Sequence, residues 1–388
     1  MKILYITPFF NLPPTDGATL RSVRVFEQLK KNNTVHVLTY DRGQEVDSYY
    51  DEIEITYFHS SFRNTAKKKY FSRLFSKSLP GLASHDRNAI AEDINSLIDK
   101  NGGYDLYYYC TQLIGQSIFW SNATAPTIID IYDIYTNYSK SKYKNLSLFK
   151  PYFWLLLVES IRIRVYEKKL LSQFNYIVVT SDNDLNQLNN FQVFSKIIVI
   201  PNGIDFIKSN INNYKKEKSL LMIGNFSYSA NYEGLLWFYK EVWPILLNKI
   251  KELRLYVIGK NNKILKDILS NEKNIVLTGV VDNPGKYYSK VSCSIVPIFN
   301  DGGTKTKLIE ALAYGIPVVT TSMASKSFQQ YATVFIADKP VSFANSIFTI
   351  FDQPIHNQKI NDIKENILKK YSWGEIGKKI DEVLVDIS

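Results

Sequence analysis

Continuous apolar runs, separated by amphipathic and polar stretches, set the outline of the chain. Residues 2–7 (KILYIT) form a strand of the kind buried on both faces in a parallel sheet. A Pro/Gly-rich loop, PFFNLPPTDG, then runs to Gly17. Residues 18–31 follow with Leu20, Val23, Phe26 and Leu29 at helical spacing, and 34–40 (TVHVLTY) read as the second strand. This β–loop–α–β opening begins a doubly wound fold, whose ligands bind beyond the carboxyl ends of the strands. Further strands are predicted at 53–58, 104–110, 126–130, 176–180 and 197–200. A long helix is predicted over 149–173, with Pro151 in its first turn and an unusually apolar half from Phe153 to Val158 that suits core, an interface or a membrane-facing patch.

After a polar, linker-like stretch at 207–218 the pattern restarts. Strands are predicted at 220–224, 253–259, 274–278 and 293–297, with helices near 231–250, 261–270 and 284–291 between them. Repeated βα units imply a second parallel sheet. The segment 299–320, FNDGGTKTKLIEALAYGIPVVT, then gives a loop with Asp301, Gly302 and Gly303, a helix over 304–314, Gly315 as its C-cap, and a short buried strand from Pro317. A late strand at 333–336 and two or three helices complete the chain, and Trp373 reads as a packing anchor. The expected fold is α/β, with two Rossmann-like doubly wound domains facing across a cleft, divided at residues 1–200 and 201–370.

The helix over 304–314 carries two features that a purely structural helix does not need. Lys305 and Lys307 stand in its first turn, where free N–H groups and the macrodipole favour negative charge. A bound anion would bring N–H groups, dipole and lysines onto one phosphate. Lys307 and Glu310 also share a face one turn apart, while Leu308, Ile309, Leu312 and Ala313 form the apolar stripe. A lysine suits phosphate and a carboxylate accepts hydrogen bonds from sugar hydroxyls, which together fit a nucleotide or a nucleotide-sugar. A plain surface ion pair remains the alternative. In the first half, Asp130 and Asp133 fall at a strand end, where active groups of an α/β sheet lie, although a turn with a capping aspartate has the same sequence. The Asp182-Asn183-Asp184 segment is a helix start capped by Ser181, with no metal site implied.

The stretch GGTKTKLIEALAYGIPVV resembles the donor-binding segment of the GT-B glycosyltransferases, family 4 above all: a glycine loop, then Lys-x-x-Glu-Ala-x-Ala-x-Gly-x-Pro-Val-Val. Lys307, Glu310, Ala311, Ala313, Gly315, Pro317, Val318 and Val319 fill that pattern. The resemblance implies that Lys307 holds the donor phosphates and Glu310 the ribose, with Gly303, Thr304, Lys305 and Thr306 contributing around the loop and helix start. It implies that Gly17 approaches the reaction centre, that Arg21 is an acceptor- or phosphate-side contact, and that Asp133, with Asp130 beside it, lies near the acceptor hydroxyl. It also implies that the helix at 371–388 packs back on the first domain. The Tyr166-Glu167-Lys168 segment matches the same subgroup. Two departures stand out. Many members have a further glutamate where this chain has Gly302. Members also place an arginine and a lysine where Asn225 and Asn231 stand here, which shifts phosphate binding towards Lys307.

Composition narrows the picture. At 388 residues, 45% hydrophobic and 22% charged, the chain is long enough for two globular domains. The net charge of +10 is scattered and has no dense tract beyond Lys67-Lys68-Lys69, so a solvated basic surface is favoured over a nucleic-acid groove. The basic, aromatic stretch at 60–100 leaves room for peripheral contact with an anionic membrane. Two cysteines, Cys110 and Cys293, sit in apolar surroundings and read as reduced core residues. His36 reads as structural, and His85 as a surface residue. No apolar run is long enough to span a membrane and the N-terminus does not read as a signal peptide, so a cytoplasmic protein is expected, at most at the inner face of the membrane. The expected activity is sugar transfer from a nucleotide-sugar to a hydroxyl of a glycan or lipid-linked acceptor. By resemblance it retains anomeric configuration and needs neither metal nor cofactor. The rival readings are a sugar-nucleotide 2-epimerase of the same architecture, a non-catalytic partner subunit, and a nucleic-acid or anionic-surface binder.

Overall fold

Apolar runs without alternation need cover on both faces, and here they become parallel strands wrapped by helices. The structure is a computed structural model that describes residues 1–388 except 9, 11–13, 15–16, 40–53, 58–86, 142, 144–145, 205–216, 261–262, 270–271, 300–305, 354 and 388. The chain divides into two units, one of Met1–Asn202 with Ile376–Ser388, the other of Gly203–Asp301 with Lys305–Glu375.

The first unit runs β1 (Lys2–Thr7), α1 (Gly17–Lys30), β2 (Thr34–Thr39), β3 (Glu54–Tyr57), α2 (Arg87–Asn101), β4 (Leu106–Cys110) and α3 (Thr111–Gly115), which tightens into a 3-10 turn at Gln116–Trp120. It continues with β5 (Thr127–Asp130), α4 (Tyr135–Ser141), α5 (Pro151–Leu171), β6 (Tyr176–Val179), α6 (Asp182–Asn189) and β7 (Lys196–Val199). The strands lie in the order β3-β2-β1-β4-β5-β6-β7, all parallel. Ile3 pairs with Val35 on one side and Leu106 on the other, so apolar residues stack across the sheet. Helix α1 is buried more widely than one stripe. Val23, Phe26 and Leu29 face the core as expected, but Thr19, Arg21, Ser22 and Gln28 are buried too, and Leu20 is only half-buried. Ser181 caps α6 by accepting from the Asp184 amide at 3.2 Å, and both the Ser181 and Thr180 hydroxyls donate to the Asp184 carboxylate, which accounts for that segment as a helix start.

The second unit runs β8 (Glu217–Ile223), α7 (Ser229–Trp237), a π turn at Phe238–Val242, α8 (Trp243–Lys249), β9 (Arg254–Ile258), α9 (Lys263–Leu269), β10 (Ile275–Gly279), α10 (Gly285–Tyr288) and β11 (Val291–Val296). After it come α11 (Thr306–Ala313), β12 (Val318–Thr320), β13 (Val334–Ile336), α12 (Pro340–Asp352), α13 (Asn357–Tyr371) and α14 (Trp373–Ile387), of which residues 376 onward group with the first unit. The parallel order is β10-β9-β8-β11-β12-β13. The helix expected over 231–250 is therefore not continuous. Pro244 has no N–H to donate, and the backbone widens into a π turn just before it. β8 begins at Glu217, three residues before its apolar run, because Glu217 pairs with Val291 of β11 and Ser219 with Arg254 of β9. Gly315 ends α11 with φ +68°, the left-handed C-cap its sequence predicts. Trp373 packs flat on Gly203, where a Cβ would lie 2.5 Å from the indole.

In the first unit, Gln28 of α1 donates to Asp381 of α14 at 2.9 Å, and Lys196 pairs with Asp386. Both cysteines are free and fully buried, and burial pushes each thiol up to about 12.

Candidate active site

Strand order in the second unit reverses between β8 and β11, so the loops after these strands diverge and leave a crevice at their carboxyl ends. Helix α11 follows β11 and begins at this crevice. Leu308, Ile309, Leu312 and Ala313 are buried, as is Ala311, which fixes the helix rotation and turns Lys307 and Glu310 to the half-buried side.

Lys307 is held in place. Its Nζ donates to Oδ1 of Asn231, in the first turn of α7, and Asn231 Nδ2 donates to the carbonyl of Asn225 at 2.9 Å. Gly224, just after β8, makes room for this pair. A Cβ there would lie 2.9 Å from Asn231 Nδ2 and 3.3 Å from Lys307 Nζ. The lysine ammonium thus sits over the end of β8, beside the first turn of α7 and in the first turn of α11. A cation and the positive ends of two helix dipoles meet there, which is the arrangement that binds phosphate oxygens.

Glu310 lies one turn further along α11. Tyr288 Oη donates to Glu310 Oε2 at 3.4 Å. Tyr288 is fully buried and stacks on Tyr314, with centroids 4.7 Å apart and planes 11° from parallel. Burial, with the Glu310 charge second, raises the Tyr288 phenol well above its ordinary value, so it remains the donor. The aromatic stack fixes the tyrosine, and the tyrosine fixes the carboxylate. Helical spacing puts Tyr314 on the same side of the helix as Lys307 and Glu310, yet it is buried in this stack.

Thr306 is the first residue of α11 and half-buried. Gly303, Thr304 and Lys305 lie outside the described residues. The Asn225 side chain folds back on its own turn, where Oδ1 accepts from the Ser227 amide at 3.0 Å, so its carbonyl is what supports the lysine site.

In the first unit the structure brings two of the expected residues together: Arg21 is 1% exposed, Asp130 is fully buried, and the two form an ion pair. The Arg21 fork donates to Asp130 from Nε at 3.0 Å and Nη2 at 2.8 Å, to the Ile200 carbonyl at 3.0 Å and to Asn202 Oδ1 at 3.0 Å. Tyr108 donates to the same carboxylate at 3.0 Å. Arg21 and Asp130 tie α1 to the carboxyl ends of β5 and β7, and the Asp130 charge holds the guanidinium above its ordinary value despite burial. Helical and strand periodicity could not show this, because the partners lie more than a hundred residues apart. Asp133 is exposed, in the loop after β5, and its carbonyl accepts from Gln112 Nε2 at 3.4 Å. Gly17 is the exposed first residue of α1, and a Cβ there would meet nothing within 4 Å.

Sequence reasoning missed a buried carboxylate near Asp133. Glu167 on α5 is fully buried and accepts from Gln112 Nε2 at 2.7 Å, from the Tyr135 and Thr136 amides at 2.8 and 3.0 Å, and from the Thr136 hydroxyl. It caps the start of α4 and so holds the Asp133 loop in position; burial outweighs these bonds and raises its pKa. The match of the 166–168 segment was the available signal. Thr111, at the end of β4, has φ +69°, a strained conformation for a β-branched residue. It stands at the second reversal of strand order, between β1 and β4.

Residues 217–353 match the family model described as glycosyl transferases group 1. That span holds β8, α7, α10 and α11, hence every residue of the Lys307–Glu310 site described above. Sucrose-phosphate synthase from Thermosynechococcus elongatus superposes with a TM-score of 0.73 at 16% identity, covering 100% of this chain and 99% of that one. The chain has the GT-B fold, and its second unit carries the match to the glycosyl transferases group 1 model. The pneumococcal O-GlcNAc transferase GtfA, in complex with UDP and GlcNAc, gives 0.70 at 12% identity over 100% of this chain and 99% of that one. The Anabaena HepE protein, in complex with UDP and glucose, gives 0.67 at 14% identity over 99% of each. Among curated proteins, an uncharacterized 44.6 kDa protein in the cps region of Klebsiella pneumoniae is 22% identical over 237 residues, and the match spans 58% of each chain. The GT-B architecture expected from the sequence is thus met by two parallel, doubly wound units and by full-length structural matches.

Proposed function

We propose that this GT-B protein transfers a sugar from a nucleotide-sugar to a hydroxyl of a glycan or lipid-linked acceptor, in the assembly of a polysaccharide or glycoconjugate. One observation carries the reading: Lys307, positioned by Asn231 over Gly224, and Glu310, positioned by Tyr288, stand one turn apart at the strand-order reversal of the group 1 unit. Lys307 and the N–H groups at the start of α11 meet the diphosphate. Charge grows on that diphosphate as the glycosidic bond breaks, so a fixed cation there lowers the barrier. Glu310 accepts the two ribose hydroxyls, which anchors the donor beyond the reacting bond. Asp133, exposed after β5, faces the acceptor hydroxyl. Transfer proceeds with retention, and charge on the leaving group is met by Lys307 and backbone donors without a metal. The relative from a cps region supports a place in polysaccharide synthesis, and the UDP held by HepE and GtfA makes uridine diphosphate the first nucleotide to try.

The test is thermal unfolding of the wild type and Lys307→Ala against nucleotide diphosphates and their sugars. A ligand at about a hundred times its dissociation constant adds roughly 2.7 kcal/mol to stability. The expected result is a shift with one nucleotide series that Lys307→Ala loses. A folded wild type that shifts with none of them refutes the donor site and supports a non-catalytic subunit. Release of free sugar without an acceptor points to the epimerase alternative.

A further inference from the structure

Helix α5 buries one side against the first unit through Phe153, Leu156, Ser160, Ile163, Glu167 and Leu170. Its opposite side should then be polar, and it is not. Trp154, Val158, Ile161 and Val165 are 56%, 46%, 55% and 66% exposed. Their spacing of four, three and four residues puts them on one line along three turns, about 16 Å long. Just before the helix, Phe149 is 96% exposed, and the Trp154 indole donates to the Leu148 carbonyl at 3.0 Å, which ties that loop to the head of the stripe. The borders of the stripe are cationic. Arg162, Arg164, Lys168 and Lys169 flank it, and the half-buried Glu159 projects well away from it by helical geometry.

A second copy of this chain is a poor occupant for such a face. A two-fold interface sets the patch against itself and would bring these cations onto one another. An anionic lipid surface neutralises them while the aliphatic line and the indole enter the headgroup boundary, where tryptophan is favoured. No described helix is long and apolar enough to cross a membrane, so the contact is in-plane. We propose that the outer face of α5 docks this protein on an anionic phospholipid surface. The proposal does not depend on the sugar-transfer reading, and its test uses no nucleotide or sugar.

The experiment is co-sedimentation with vesicles of phosphatidylcholine alone and of phosphatidylcholine mixed with phosphatidylglycerol, for wild type, Val158→Glu/Ile161→Glu and Lys168→Ser/Lys169→Ser. The wild type is expected to sediment with the anionic vesicles only. Val158→Glu/Ile161→Glu should lose about tenfold or more in vesicle affinity with unchanged thermal unfolding, because both positions are exposed. Lys168→Ser/Lys169→Ser should bind more weakly and with less sensitivity to salt. The proposal is overturned if the wild type stays in solution with anionic vesicles, or if the glutamate variant sediments as the wild type does. It is equally overturned if the wild type is a dimer in solution that the glutamate variant converts to monomer, which would make the face a self-interface.

Discussion

Replacing Asp130 with alanine leaves a guanidinium buried without its counter-charge. In the intact protein Arg21 and Asp130 have side chains 2% and 1% exposed, joined at 2.8 Å. After the substitution Arg21 retains only neutral acceptors, the Ile200 and Pro201 carbonyls and Asn202 Oδ1, and Tyr108 loses its own acceptor. Breaking one side of such a pair costs about 3–5 kcal/mol. For a domain of roughly 200 residues, each kcal/mol moves the midpoint about 2–4 °C, so the unfolding of the first unit should fall by about 6–20 °C. The assay is differential scanning calorimetry on Asp130→Ala, Arg21→Met and the double variant. The double variant removes both charges, and its loss should be smaller than the sum of the single losses by about 2 kcal/mol. Asp130→Ala that melts with the wild type yet loses transferase activity would refute the reasoning and return Asp130 to the acceptor site.

Four further outcomes follow from the same geometry. Asn231→Ala should weaken uridine diphosphate binding about tenfold by calorimetric titration while leaving uridine binding nearly unchanged, since the lost bond positions a cation for phosphate. Tyr288→Phe should weaken both ligands about threefold to tenfold with a midpoint within a few degrees of wild type, because it releases Glu310 without opening a cavity. Cys110 and Cys293, with thiols near 12, should resist iodoacetamide at pH 8, where about one molecule in ten thousand carries a given thiolate, and should react fully once unfolded. Glu167 has a raised folded pKa, so the fold binds its proton more tightly than the unfolded chain does. Its titration therefore stabilises the protein below the ordinary glutamate value and that contribution is lost as pH rises through the raised value, which the midpoint difference between wild type and Glu167→Ala across that range would show.

The strands were legible because a parallel sheet covered on both faces selects continuous apolar runs, and Lys2–Thr7 and Val318–Thr320 are such runs. Helix α11 was legible to its rotation, since Gly315, Pro317 and the buried stripe fix its end and its faces. Periodicity does not report what a polar residue meets across the fold. Arg21 was read as ligand-facing from the family resemblance and Asp130 from its place at a strand end, yet they meet each other across 109 residues. The π turn before Pro244 was likewise invisible to an apolar pattern that continues through it. Tyr288 holds Glu310, and Glu167 holds the Asp133 loop, each from an element remote in sequence; the 166–168 match flagged Glu167 without showing what it binds, and Tyr288 belongs to no motif at its own position.

The contrast between the two units separates charges that build the fold from charges that face a ligand. Arg21 and Asp130 are joined to each other, so each cancels the other's field and what remains is mechanical, a tie between α1 and two strand ends. Lys307 and Glu310 are positioned by an asparagine amide and a tyrosine hydroxyl. A neutral hydrogen-bond partner fixes where an ionic group sits and adds no opposing charge of its own. An arginine or lysine at position 231, as the family pattern has it, would add positive charge but would repel Lys307 in the empty site. Asparagine gives up that second cation and gains a fixed first one. The departure from the family pattern at Asn231 is therefore a reason to expect a working donor site with one well-placed lysine, and it argues against reading the missing cation as decay of the site.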